Sequence, residues 1–253
     1  MATPILLGRF QVTSSNKDIT LTPGGAIAIT TGWYYTGGYS GEGTSQLCEE
    51  VETQLQTVNA NFTCTYSTTT NLVTLDFDSV STNVAWTDSD AGLLLGFPSA
   101  LTTSASNYVA PQQPRYTWMP NHGPSNYAGQ ASKFWIPVHT SSVQVSPNGA
   151  THTVPGYARY VGWLNFELLP QADIQIATTV YRDLEQFFLD VVGPTQPIRV
   201  LPDRTSYTSS SYVTGYIAPR DGGTIEGLDE YRSRWQDNYD GLWDVELGFT
   251  KQV

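Results

Sequence analysis

Apolar and polar residues alternate with period two along much of the chain, and clusters of Gly, Pro, Ser, Thr and Asn interrupt them at short intervals, the pattern of strands joined by turns. Phe62, Cys64 and Tyr66 share one face of an extended run and Val73, Leu75 and Phe77 share a face of the next, so Ser67 to Asn71 is read as the loop of a hairpin. A second hairpin is expected at Ser146-Pro147-Asn148-Gly149, because Asn-Gly accepts the positive φ of a tight turn. Tyr157 to Leu169 is apolar on both sides, with Tyr160, Leu164, Phe166 and Leu168 on one face and Val161 and Trp163 on the other. It predicts a central strand ended by Pro170. Trp243, Val245, Leu247 and Phe249 alternate with Asp244, Glu246, Gly248 and Thr250, which predicts a strand with one wet face.

Two segments change period. In Thr44 to Asn59, Leu47, Val51, Leu55 and Val58 fall on one stripe of a helix, with Thr44 or Ser45 as N-cap and Glu42, Glu49 and Glu50 toward the positive end of its dipole. In Asp173 to Val192 the stripe is Ile176, Val180, Leu184, Phe187, Phe188 and Val191; Asp173 caps it, Gly193 supplies a left-handed stop, and Pro194 forbids continuation. This second helix is expected to pack on the sheet that holds Tyr160 to Leu168. Between the two halves, Ser104 to Gln130 carries Pro111, Pro114, Pro120 and Pro124 and has no periodicity. Its aromatics Tyr108, Tyr116, Trp118 and Tyr127 mark it as an arm that docks on another subunit, since exposed rings are costly unless something covers them.

The class predicted is therefore α+β, mostly β. Residues 1–105 form a small α+β module ending in Leu-Leu-Gly-Phe, 106–130 a Pro-rich arm or linker, and 131–253 a β domain with the helix 173–192.

Composition narrows the function. The 253 residues are 40% hydrophobic and 12% aromatic, enough for one large or two modest cores. Asp and Glu number 23 against 12 Lys and Arg, a net charge of −11, which disfavours a clamp built on phosphate neutralisation. Apolar runs such as Ala91 to Phe97 fall far short of the roughly 20 residues that cross a bilayer, and no membrane partner is expected. No export signal is read at the N-terminus, so folding in a cytoplasm and free thiols at Cys48 and Cys64 are the expectation.

Candidate chemistry is sparse. His122, His139 and His152 have no spacing that suits a metal, and Gly38-Tyr39-Ser40-Gly41 fails as a nucleophile elbow because Glu42 stands where a glycine is needed. Asp76 with Asp78, and Asp88 with Asp90, are paired carboxylates at a spacing that solvent-facing acids and turn caps also produce. No catalytic site, cofactor or metal is assigned. In Leu228 to Trp243, Tyr231, Trp235 and Tyr239 stand among acids and beside Arg232 and Arg234. That composition fits a subunit interface, and an alternative is a glycan-binding host-recognition surface, or more remotely a glycan-cleaving enzyme. The candidate interface is thus Tyr108, Tyr116, Trp118, Tyr127, Tyr231, Trp235 and Tyr239.

Gly32-Trp33-Tyr34-Tyr35, the helix with Leu47 and Leu55, the Phe62 to Phe77 hairpin and the closing Ala91-Gly92-Leu93-Leu94-Leu95-Gly96-Phe97 together resemble a small α+β module of tailed-bacteriophage virion proteins. The second half is similar to the tail-tube and distal-tail family: a long strand, a helix with Phe187-Phe188 before its glycine stop, a returning strand at Pro197 to Pro202 and a last strand at Leu242 to Thr250. The resemblance implies a tail-tube-like β-sandwich or barrel with one packed helix, and a structural role in the virion, assembled in the host cytoplasm. The partners it implies are the protein itself, as a homo-oligomeric ring, and other virion proteins, with at most passive passage of DNA through a lumen. Two modules in one chain depart from the plan of a simple tube protein, so the implied places are tube, distal ring or baseplate, adaptor, or head-attached piece.

Overall fold

The structure is a computed structural model that describes residues 4–36, 46–86, 89–120, 123–125, 136–139, 142–154, 158–174, 184–191, 196–201, 213–218, 236–239 and 241–251. The first part of the chain runs β1 (Ile5–Val12), β2 (Asp18–Thr22), β3 (Gly25–Ala28), β4 (Gly32–Tyr35), α1 (Leu47–Gln56), β5 (Thr63–Ser67), β6 (Leu72–Asp76), β7 (Thr82–Trp86) and α2 (Ser89–Leu93). Next come β8 (Leu101–Ala105), β9 (Asn107–Val109), β10 (Thr117–Trp118), β11 (Ile136–His139), β12 (Ser142–Val145), β13 (Thr151–Val154) and β14 (Ala158–Pro170). The last part is α3 (Gln171–Ile174), α4 (Leu184–Asp190), β15 (Ile198–Leu201), β16 (Val213–Ile217), β17 (Gln236–Tyr239) and β18 (Leu242–Lys251). The class is α+β and mostly β, as the period-two pattern predicts.

The expected hairpins form with the expected faces. Cys64 lies opposite Leu75 and Tyr66 opposite Val73, and Phe62, Cys64, Val73, Leu75 and Phe77 are all buried. Asn71 closes the first hairpin at φ 56, and Gly149 turns the second at φ 80. Residue Gly96 sits at φ 84 between the buried Leu95 and Phe97, where a Cβ would stand 2.3 Å from the carbonyl oxygen of Gln112. Only glycine fits both demands.

Helix α1 buries Leu47, Val51 and Leu55, as its stripe predicts, but it is shorter than expected and leaves Val58 exposed beyond its end. Its N-cap position is Gln46, not Thr44 or Ser45, and makes no side-chain capping bond. Instead its carboxylates bind a neighbouring loop and strand: Glu50 Oε1 accepts the Thr30 backbone N–H at 2.9 Å and, within the helix, Gln54 Nε2 at 3.0 Å, while Glu52 Oε2 accepts the Cys64 N–H at 3.0 Å. Burial alone would raise the Glu50 carboxyl, but the hydrogen bonds from Thr30 and Gln54 more than offset it and hold the group below its ordinary value.

Of the second predicted helix, the structure describes α3 and α4; Ile176 and Val180 of the stripe, and the stop at Gly193-Pro194, lie outside the described residues. Leu184, Phe187, Phe188 and Val191 are buried against Leu164, Phe166, Leu247 and Phe249 of the sheet, the packing the stripe implies. In β14 the even-numbered face expected from the sequence holds only through Phe166. A bulge between Phe166 and Leu169, with Leu168 at φ 57, turns Leu168 outward and Leu169 inward. Tyr160, near the other end of the strand, is also exposed.

The pairs between these strands are antiparallel, and an isolated parallel bridge joins Tyr35 to Gln46. A nine-stranded sheet has the order β10-β1-β15-β16-β18-β14-β11, with β17 paired to β18 and β4 to β1; the others are β3-β2-β7-β8, β5-β6-β9 and β12-β13. Two large hydrophobic cores result. One gathers Phe10, Ile19, Leu47, Val51, Phe62, Phe77 and Phe97, the other Leu6, Trp118, Phe166, Phe187, Val200 and Phe249. Strand β1, from residues 1–105, pairs with β15 through Ile5–Leu201 to Gly8–Ile198 and sends Leu6 into the second core, so strands from both halves share one sheet.

Two outcomes follow. Gly96→Ala lowers stability by about 2 kcal/mol or more, from φ strain added to a backbone clash, and the loss is read as a lowered denaturation midpoint in urea. For Glu50, a folded-state pKa below the unfolded one means that its contribution is complete above the ordinary carboxylate range and is lost as pH falls through the folded value. Glu50→Gln therefore costs about 1 kcal/mol at pH 7, and its melting temperature converges on that of the wild type in acid.

Candidate interaction surfaces

The aromatics of the central segment are docked, but on their own chain. Tyr108 is buried, donates its hydroxyl to the Thr82 carbonyl oxygen at 2.7 Å and accepts the Ala105 N–H at 2.9 Å. Tyr116, at φ 65, stacks on Phe10 with ring centroids 5.1 Å apart, and its carbonyl oxygen accepts the Gly8 N–H at 2.7 Å. Trp118 is 0% exposed; its indole N–H donates to the Asp173 carbonyl oxygen at 3.0 Å, and its ring meets Phe166 edge-on. Tyr108 and Trp118 are thus internal anchors and not partner-facing ones, while Tyr116 is half-buried against its own chain. The physical reason is that β9 and β10 pair with β6 and β1, which seats Tyr108 in the first core and Trp118 in the second, with Tyr116 packed against both. Tyr127, Tyr231 and Trp235 lie outside the described residues, and of Tyr239 only its place in β17, opposite Leu242, is described.

Arg115, in the strap formed by residues 110–119 of the same central segment, joins the cores by charge. Its Nε and Nη2 both donate to Asp190 Oδ1 at 2.9 Å, and Gln186 Nε2 donates to the same oxygen at 2.8 Å. The Arg115 N–H donates to the Leu93 carbonyl oxygen at 2.9 Å and its own carbonyl accepts the Thr36 hydroxyl at 3.1 Å, so the backbone belongs to the first core while the side chain holds α4 of the second. No sequence spacing connects positions 115 and 190; only their types, an arginine and an acid, were visible.

The candidate acids have structural partners. Asp76 Oδ1 accepts the Asp78 N–H at 3.0 Å and Asp78 Oδ2 accepts Asn61 Nδ2 at 2.7 Å, a turn and a clasp rather than a convergent carboxylate pair. Asp244 Oδ1 accepts the N–H of Leu168 at 3.0 Å and so braces the bulge in β14. Asp88 and His122 lie outside the described residues, as does most of Leu228 to Trp243, while His139 and His152 are placed only as strand positions in β11 and β13. Among the described residues no three His, Cys, Asp or Glu gather as metal ligands, and no helix is long and apolar enough to cross a membrane.

Several large apolar and aromatic side chains are exposed among the described residues. Val145, in the hairpin β12–β13, is 68% exposed, and Ile136, in the sheet-edge strand β11, is 42% exposed. Trp33 is 44% exposed with the Arg9 guanidinium 5.0 Å from its ring centroid, and Arg199 lies 4.2 Å over the neighbouring Tyr35. Burial holds the Tyr35 phenol above its ordinary range, against the opposing pull of Arg199 and Arg9. The Arg9–Trp33 pair was missed from sequence because its members are 24 positions apart and meet only through the β1–β4 register, Gln11 lying opposite Trp33. Comparison of the chain with protein-family models, curated proteins and solved structures finds no match in any of the three.

Arg115→Ala strands the buried Asp190 carboxylate and costs about 2–3 kcal/mol, and Asp190→Asn costs less. A double-mutant cycle in urea denaturation measures the coupling, and a value near zero removes the bridge from the joint between the cores.

Proposed function

We propose that this protein is a structural component of a tailed-bacteriophage particle, a ring-forming tail protein of the distal, adaptor or tube type that docks on neighbouring virion proteins. The observation that carries the reading is the β11 to β13 region. Two short β elements follow one another there, one at the edge of the largest sheet and one hairpin that pairs with no other strand among the described residues. An isolated two-stranded hairpin is marginal in water, and an edge strand offers unpaired backbone groups, so both gain stability from strand addition by another subunit. Val145 and Ile136 are apolar side chains placed for that contact. Further support comes from the resemblance of both halves to virion modules and from α4 packed on the long β14–β18 pair, the arrangement a tail-tube-like domain requires.

Antibodies against this chain, used for immunogold labelling of intact tailed particles, place a band of label at one fixed position along the tail. Particles that carry no label overturn the proposal, and selective binding of the monomer in a glycan array favours host recognition instead. Val145→Asp combined with Ile136→Lys changes the stability of the isolated protein by no more than about 0.5 kcal/mol. The same variant lowers incorporation into particles at least tenfold, measured by quantitative blotting.

A further inference from the structure

Cys48 and Cys64 are both free and both buried in the first core, where α1 lies over the start of β5. The seating of the helix places them together. Glu52 stands one turn after Cys48 on the same helix face, and its carboxylate accepts the backbone N–H of Cys64 at 3.0 Å, so the 48/52 face of α1 lies directly on position 64. The Cys48 thiol donates to the Thr36 carbonyl oxygen at 3.4 Å, and it lies near enough to Cys64 to perturb that thiol.

We propose that Cys48 and Cys64 form a site of peroxide oxidation that closes an intramolecular disulfide between α1 and β5. The inference is independent of the assembly role. Cys48 lies in the first turn of α1 and is the sulfur that reacts first, because the Cys64 thiol beside it is held protonated. Its sulfur attacks one oxygen of hydrogen peroxide as the thiol proton is lost; the O–O bond breaks, the departing hydroxide takes up that proton as water, and the sulfur becomes a sulfenic acid. Cys64 is the resolving thiol. Its interaction with Cys48 and burial push its pKa well above the usual thiol range, so it stays protonated and unreactive until the sulfenic acid forms beside it. Its sulfur then displaces the sulfenic oxygen, the thiol proton leaves with that oxygen as water, and the S–S bond forms. Overall, two thiols and one peroxide give one disulfide and two waters.

The disulfide closes the segment from Cys48 to Cys64, which includes most of α1 and its turn into β5, and restrains that corner in the unfolded chain. The test treats the purified full chain with hydrogen peroxide, then unfolds it in iodoacetamide. The expected product is monomeric, about 2 Da lighter than the reduced chain, unalkylated, and linked Cys48 to Cys64 by peptide mapping. Its melting temperature rises by roughly 5 °C, and dithiothreitol reverses the rise. Cys64→Ser accumulates a dimedone-reactive sulfenic acid at Cys48, whereas Cys48→Ser leaves Cys64 unlabelled; Cys48→Ala replaces the latter variant if the serine is not soluble. Two alkylated cysteines after oxidation, a disulfide between chains, or sulfinic acid at either cysteine in the wild type overturns the proposal.

Discussion

Every part of this molecule depends on β1 being shared. Successive residues of that one strand enter different hydrophobic clusters: Leu6 the second core, Phe10 and Val12 the first, and Ile5 and Leu7 a smaller cluster with Tyr35, Met119 and Leu201 between them. Over residues 5–8 the strand is buried on both faces and has no wet side to tolerate a register slip, since a shift of one residue exchanges every pair of environments at once. Gly8 sharpens the constraint, because a Cβ there would stand 2.3 Å from Val191 Cγ1 and 3.2 Å from the Tyr116 carbonyl oxygen. The end of α4 and the strap reach β1 only because position 8 has no side chain.

The strap around residues 110–119 converts that shared strand into a rigid joint. Its backbone bonds to Gly8 and Leu93, its Arg115 holds Asp190, and its Trp118 fills the second core. A buried polar cluster closes its other side: Asn71 Nδ2 donates to Gln113 Oε1 at 2.8 Å and Thr117 Oγ1 at 3.1 Å, and Tyr66 donates its hydroxyl to Asn71 Oδ1. Asn71 therefore serves two scales. Its side chain tolerates the left-handed turn of the hairpin and then anchors the strap 42 residues later. With Tyr108 and Trp118 buried internally, exposed apolar side chains remain at the β11–β13 region, where the proposed ring contacts are sought.

The helix α1 shows the same economy of polar groups. Lacking a side-chain cap, it uses Glu50 and Glu52 to satisfy backbone donors outside itself, tying the helix to the loop at Thr30 and to β5. This seating brings Cys48 against Cys64, so the oxidation chemistry proposed for the pair is a by-product of how the helix was fastened.

Local chemistry was enough to predict the mostly-β class, the two hairpins, the buried stripe of α1, the α4 face and the Leu-Leu-Gly-Phe closure. Each rests on a short-range period or a single backbone requirement, such as positive φ at Gly96 and Gly149. The residues that join the two halves were not legible, because partners such as Arg115 and Asp190, or Arg9 and Trp33, are matched by strand pairing and not by spacing. The role of β1 was missed for a related reason: Ile5-Leu6-Leu7 has no alternation, and a strand buried on both faces leaves no periodic trace. The fate of Tyr108, Tyr116 and Trp118 was equally undecidable from composition, since an aromatic that anchors a partner and one that anchors its own chain obey the same burial energetics. Only the tertiary structure, by pairing β9 with β6 and β10 with β1, decided which surface covered them.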